Sequence, residues 1–223
     1  MKYRHVIFIV VFILVIDQAL KFWIKTHLYM QQEFVIFPNW FRIHFIENEG
    51  MAYGLKFGGD WGKIMLTLFR LVAVVIGFWY MKKLVHQKFH TGLLICGSLI
   101  LAGAAGNLID SMFYGLIFSD SSYDIARFLP KEGGYGAFLH GRVVDMLYFP
   151  IYEGYLPKWV PFKGGDYFIF FRPVFNIADA AISTGVITIL VFQRRFFSKR
   201  LEETTGTEQT GAQQNGAVVN GAQ

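Results

Sequence analysis

Three pairs of polar residues lie inside long apolar runs: Asp17 with Lys21, Asn107 with Asp110, and Asn176 with Asp179. Each pair is spaced three or four residues apart, which on a helix puts both members on one face. A fourth carboxylate, Asp145, sits in GRVVDMLYF between apolar residues that would seat it at a membrane surface instead of in bulk water. Insertion scales charge about 2.5 to 3.5 kcal/mol for an ionisable group at the centre of a membrane helix, so each of these residues needs a reason. Cohesion of the bundle through hydrogen bonds is one, and it suits Asn107, Asn176 and the Asp17 with Lys21 pair. It suits Asp145 and Asp179 less well, because two carboxylates with few cations nearby repel each other. Two such carboxylates can hydrolyse an amide. The ionised one takes a proton from water, the protonated one acts as acid to the carbonyl oxygen, and the pair later gives a proton to the leaving nitrogen.

Other chemistries find no support in the residues. The chain has neither a G-x-S-G string for a serine peptidase nor an H-E-x-x-H string for a zinc enzyme. His44 and His140 lack ligand spacing and read as surface histidines, and the lone Cys96 lies in an apolar run where it reads as packing. No metal and no cofactor are expected.

The elements that must position these residues follow from composition. The chain has 223 residues, of which 54% are hydrophobic and 17% charged, a balance beyond that of ordinary soluble domains. Four runs, about 6–23, 64–81, 93–116 and 168–192, are long enough to cross a bilayer, which takes roughly 20 residues. An all-α membrane protein is therefore expected: a four-transmembrane-helix bundle in residues 1–200, with an extended outer loop. The net charge of +5 sits at the flanks of the apolar runs, which argues for topology and against nucleic acid. Lys2 and Arg4, then Lys82, Lys83 and Lys88, then Arg194, Arg195, Lys199 and Arg200 predict cytoplasmic segments and both termini inside. Segments 25–62 and 117–167 then lie outside, and all three polar pairs reach the same outer level. Between Glu33 and Phe57, Val, Ile and Phe broken by Pro38-Asn39 and Asn48-Glu49-Gly50 predict a small extracytoplasmic sheet. Residues 201–223 are polar, Gly-rich and without aromatics, which predicts a disordered cytoplasmic tail.

Five strings, in order and on this topology, resemble the bacterial lipoprotein signal peptidases, or signal peptidase II: DQALKFWI from Asp17, ENEGMAYGL from Glu47, GNLIDSMFYG from Gly106, GRVVDMLYF from Gly141 and FNIADAAIS from Phe175. The resemblance spans about residues 5 to 195. It implies a multi-pass protein of the bacterial cytoplasmic membrane, expected as a monomer, with its site at the outer leaflet among phospholipids. It also implies an aspartic endopeptidase that removes the signal peptide from diacylglyceryl-modified prolipoproteins, cutting before the lipidated cysteine. By the same resemblance Asp145 and Asp179 are the catalytic pair, and Asp17, Lys21, Asn48, Gly50, Asn107, Asp110 and Asn176 support the site or hold substrate. The runner-up reading is a small proton- or cation-coupled transporter using the same buried carboxylates.

Two departures stand out. The family usually carries Arg directly after the aspartate of GNxxD, where this chain has Ser111, and segments around 119–140 and 152–168 look like insertions. The missing guanidinium points to Arg142 or Arg70 as a replacement. Arg142, three residues before Asp145, is the nearer in sequence; its alternative is an interfacial residue facing headgroups. Arg70, inside the second apolar run, reads either as snorkelling outward or as neutralising a carboxylate.

Overall fold

The computed structural model describes residues 1–38, 40–49, 59–170 and 172–197. Gly50 and the segment 201–223 lie outside the described residues. The chain runs α1 (Tyr3–His27), β1 (Glu33–Phe37), β2 (Phe41–Asn48), α2 (Gly59–His86) and α3 (Thr91–Ile117). It continues through β3 (Val143–Tyr148), β4 (Tyr152–Tyr155), β5 (Tyr167–Phe170) and β6 (Val174–Phe175) into α4 (Ile177–Phe197). Four helices among the described residues are long and apolar enough to span a membrane, and α3 is the most buried of them. At one end of the bundle Val6, Val10, Val74, Leu94 and Leu101 pack into a wholly apolar core. At the other end a second core of Ile24, Phe45, Phe118, Val144 and Met146 joins α1 and α3 to the strands.

The fourth helix starts at Ile177 and not near residue 168 as hydropathy suggests. Pro173 disfavours the helical region for the residue before it, and the apolar run 167–175 is spent on β5 and β6 instead. At its Lys25 end α1 outlasts its apolar run because Lys21 and Lys25 are buried in protein there.

The main sheet has the order β1-β2-β3-β6, all antiparallel, while β4 and β5 form a separate hairpin. GRVVDMLYF is thus a central strand and not a surface loop. Its register sets Asp145 opposite Ile46 on β2 and Leu147 opposite Phe175 on β6, and β6 turns directly into α4. Asp145 is delivered by this register to the start of the helix that carries Asp179.

The last turns of α3 contain a π-helical stretch, Asp110–Tyr114, a feature frequent at functional sites. The carbonyls at this end are not left orphaned. N–H groups of Tyr135, Gly136, Leu139 and Gly141 donate to the carbonyls of Phe118, Gly115, Met112 and Ser111 at 2.9 to 3.2 Å, so the loop between α3 and β3 lies along the helix end and satisfies it.

Candidate active site

The string FNIAD is a helix start. Asn176 is the residue before α4, and its Oδ1 accepts from the Asp179 N–H at 2.8 Å while Asp179 Oδ2 accepts from the Asn176 N–H at 3.4 Å. This reciprocal pattern satisfies two of the orphan donors at a helix N-terminus and fixes both side chains. A third donor, the Ala178 N–H, is taken by Asp17 Oδ1 from α1 at 2.9 Å. Negative groups gathered around the start of α4 also complement its dipole.

The Asn176 amide nitrogen then links the layer together. It donates to Asp145 Oδ1 at 2.7 Å and has Asn107 Oδ1 at 3.1 Å and the Val144 carbonyl at 3.3 Å. Asn48, at the end of β2, donates its amide to the other Asp145 oxygen. Asn107 from α3 donates to Asp179 Oδ1 at 2.7 Å. Both aspartates are therefore held by asparagine amides in one constellation, each oriented from more than one element. Asp145 is 2% exposed, whereas Asp179 is half-buried.

Beneath the aspartates lies an ionic floor. Lys21 Nζ sits 2.9 Å from Asp17, 2.8 Å from Asp110 and 2.9 Å from Asn107 Oδ1. All three ammonium protons have acceptors. Asp110 further accepts from Gln18 Nε2 at 2.8 Å and from the Val144 N–H at 3.3 Å, which ties the strand carrying Asp145 to α3. Gly106 is needed here: a Cβ at that position would come within 2.8 Å of Asp17 Oδ2, so only glycine lets α3 approach α1 at this level.

Burial first, and the neighbouring Asp179 carboxylate second, push Asp145 up to about 8, against the opposing pull of Lys21 and the Asn176 hydrogen bond. An aspartic acid that keeps its proton at neutral pH can donate it.

Eight of the ten anticipated residues, Asp17, Lys21, Asn48, Asn107, Asp110, Asp145, Asn176 and Asp179, meet in this layer. Arg142 does not join the two aspartates. Its guanidinium lies 3.3 Å from Glu47 and 3.4 Å from Asp120, and it stacks over the Tyr135 ring at 4.8 Å. The strand geometry explains this, since Arg142 precedes β3 and points along the loop that packs on α3. Ser111 finds Arg70 instead: Arg70 Nη1 donates to Ser111 Oγ at 3.3 Å.

Several participants escape sequence reasoning. Gln18 bonds Asp110 and accepts from the Tyr114 hydroxyl at 3.1 Å. Lys25, with a fully buried side chain, pairs with Glu47 and donates to Ser121 Oγ at 2.6 Å. Lys25 had a signal: it continues the face of Asp17 and Lys21 by one more helical turn.

A multi-pass membrane protein whose polar site joins two aspartates and three asparagines at one end of a helical bundle is the class that fold and site define. The family model for signal peptidase (SPase) II matches residues 9–195. The chain is similar to the lipoprotein signal peptidase of Porphyromonas gingivalis, 50% identical over 195 residues covering 87% of this chain and 84% of that one. It is also similar to the lipoprotein signal peptidase of Amoebophilus asiaticus, 37% identical over 86% of this chain and 79% of that one. A solved structure described as a bacterial membrane enzyme, obtained by the in meso method at 2.3 Å, superposes with a TM-score of 0.54 at 25% identity, covering 87% of this chain and 90% of that chain. The chain belongs to the signal peptidase II family, and is a peptidase of a bacterial membrane.

Proposed function

We propose that this peptidase is an aspartic endopeptidase that removes the signal peptide from diacylglyceryl-modified prolipoproteins, cutting before the lipidated cysteine. The observation that carries this reading is the Asn176 bridge, which donates to Asp145 and exchanges two hydrogen bonds with Asp179. Asp145, buried and raised to about 8, holds the proton of the pair and delivers it to the scissile carbonyl. Asp179, half-buried and reachable by water, takes the proton of the attacking water. The C–N bond then breaks as Asp179 passes that proton to the leaving amine, and Asp145 recovers a proton from the hydroxyl of the tetrahedral intermediate as the carbonyl re-forms, which restores the pair.

The site lies at the end of four spanning helices, which fits a scissile bond held beside a lipid anchor: the acyl chains stay in the leaflet while the signal helix lies along the bundle. In this reading segments 25–62 and 117–167 face outward, both termini are cytoplasmic, and a single chain surrounded by phospholipid is the working unit. A proton- or cation-coupled transporter would continue its polar groups through the bundle, yet the opposite end is the apolar core of Val6, Val10, Val74 and Leu94.

The test is cleavage of a lipidated prolipoprotein, beside its unlipidated form, by the purified wild type and by Asp145→Asn and Asp179→Asn. Each variant should lose at least about a thousandfold in turnover, the scale of general acid and base removal, while keeping its membrane insertion. Near-normal turnover in either variant would remove the pair from the mechanism; equal cleavage of both substrates would remove the lipid from recognition.

A further inference from the structure

The reaction just proposed draws its residues from α1, α3, α4 and the sheet, and leaves α2 without a part. One residue of α2 nevertheless enters the layer. Arg70 lies inside an apolar stretch whose neighbouring side chains Phe69 and Val72 are 71% and 55% exposed and so turn toward lipid. Its own side chain turns the other way. The guanidinium donates to Ser111 Oγ at 3.3 Å, and Ser111 Oγ donates in turn to the Asn107 carbonyl at 2.9 Å. Asn107 is the residue whose amide holds Asp179 at 2.7 Å.

Charge supplies a second observation. Among the described residues, the charged groups of this region are Asp179 on α4, Asp110 on α3 and Asp145 on β3, with Asp17 and Lys21 of α1 beside Asp110 and Lys63 two turns away on α2. Lys21 is committed to Asp17 and Asp110. The carboxylates acting on the Arg70 guanidinium are Asp179 first, then Asp110 and Asp145. A cation placed inside an apolar span needs such partners to remain there.

We infer that Arg70 is a positioning residue for the catalytic pair: tethered by Ser111, its guanidinium stabilises negative charge on the Asp179 side, where the attacking water is activated. The inference rests on the proposed pairing of Asp145 with Asp179. Lysine keeps the charge and glutamine removes it, so the two substitutions separate charge from packing. Ser111→Ala keeps the charge and removes the tether.

The experiment measures kcat and KM against pH for the full chain in lipid nanodiscs, with a lipidated prolipoprotein, for Arg70→Gln, Arg70→Lys and Ser111→Ala. An opposite charge near a carboxylate is worth about one unit or more. The acid limb of kcat should therefore move up by about one pH unit in Arg70→Gln, a loss of about tenfold on that limb that is recovered at higher pH. KM should stay within about twofold. Arg70→Lys should keep the wild-type limb, and Ser111→Ala should move it by a few tenths of a unit. An unshifted limb in Arg70→Gln, or Arg70→Lys behaving like Arg70→Gln, overturns the inference. Should Arg70→Gln not insert, an unshifted limb in Ser111→Ala overturns it. Asp145→Asn and Asp179→Asn run alongside: if they retain turnover, the pair itself is wrong, and that outcome is distinct from a failure of Arg70.

Discussion

Lys21 and Lys25 stand one turn apart on the same face of α1, both with fully buried side chains, and they serve two different regions. Lys21 binds helix to helix: its partners Asp17, Asp110 and Asn107 all belong to spanning segments and form the floor under the aspartates. Lys25 binds helix to sheet and loop. It meets Glu47 of β2 and Ser121 of the loop after α3, and the rings of Phe118 and Tyr135 face its ammonium at 5.4 and 5.0 Å. Around Lys21 the acceptors are carboxylates and an amide, fixed on helices beside Asp145 and Asp179. Around Lys25 aromatic faces contribute, which a cation uses well once water is excluded. Polar burial is thus spent on precision in one region and on attachment of the loop in the other.

Lys21→Met should break the first region most severely. It leaves Asp17 and Asp110 without their cation, a change that costs about 3 to 5 kcal/mol for a buried pair, and it frees Asn107 to misalign Asp179. Thermal unfolding in detergent should fall sharply and turnover by more than about a hundredfold. Lys25→Met should weaken the second region by about 1 to 3 kcal/mol, since Arg142 still faces Glu47 at 3.3 Å. Limited proteolysis within 118–141 should accelerate while kcat stays within about threefold. If Lys25→Met instead abolishes kcat as Lys21→Met does, the division between floor and brace is wrong.

Asp145→Asn sharpens the comparison through pH. A carboxyl whose folded value is about 8 favours the fold only while protonated. Its cost to stability begins near the unfolded value of about 4, grows as pH rises, and is complete above about 8. Asparagine has no proton to lose. The variant should match the wild type in melting temperature near pH 4 and exceed it by a few degrees at pH 8; a variant less stable at pH 8 would contradict the burial argument.

The smallest effect belongs to Arg142→Gln. Its partner Asp120 is 43% exposed and its own side chain 29%, and its other partner Glu47 keeps Lys25 as a cation, so the loss should be at most about 1 kcal/mol. Turnover should remain within about twofold, and a large loss would return Arg142 to the site.

Much of the site was legible because its signals are local. Asp17 with Lys21 and Asn107 with Asp110 announce a polar helix face by spacing, and Asn176 with Asp179 does so by the same spacing while also forming a capping pair. The strings around them resemble a family, and the family model covers residues 9–195. Gly106 stands in the GNLIDSMFYG string without a local reason, since its reason is the approach of Asp17 from another helix.

Sequence by itself determined that there are four spans, because hydropathy and helical period depend on neighbouring residues only, while strand pairing decided where the fourth begins. It also determined which residue types had to find partners, because burying an unpartnered charge is prohibitive. Tertiary structure decided who those partners are. Lys25 could have faced any carboxylate within reach, and Ser111 could have met Arg142, until the depth and rotation of the helices set Glu47 beside the first and Arg70 beside the second. The same holds for GRVVDMLYF, whose apolar alternation fits a surface segment or a strand equally well. Pairing with β2 and β6 made it the strand that carries Asp145 to Asn176, and such pairing is fixed by contacts between residues far apart in the chain.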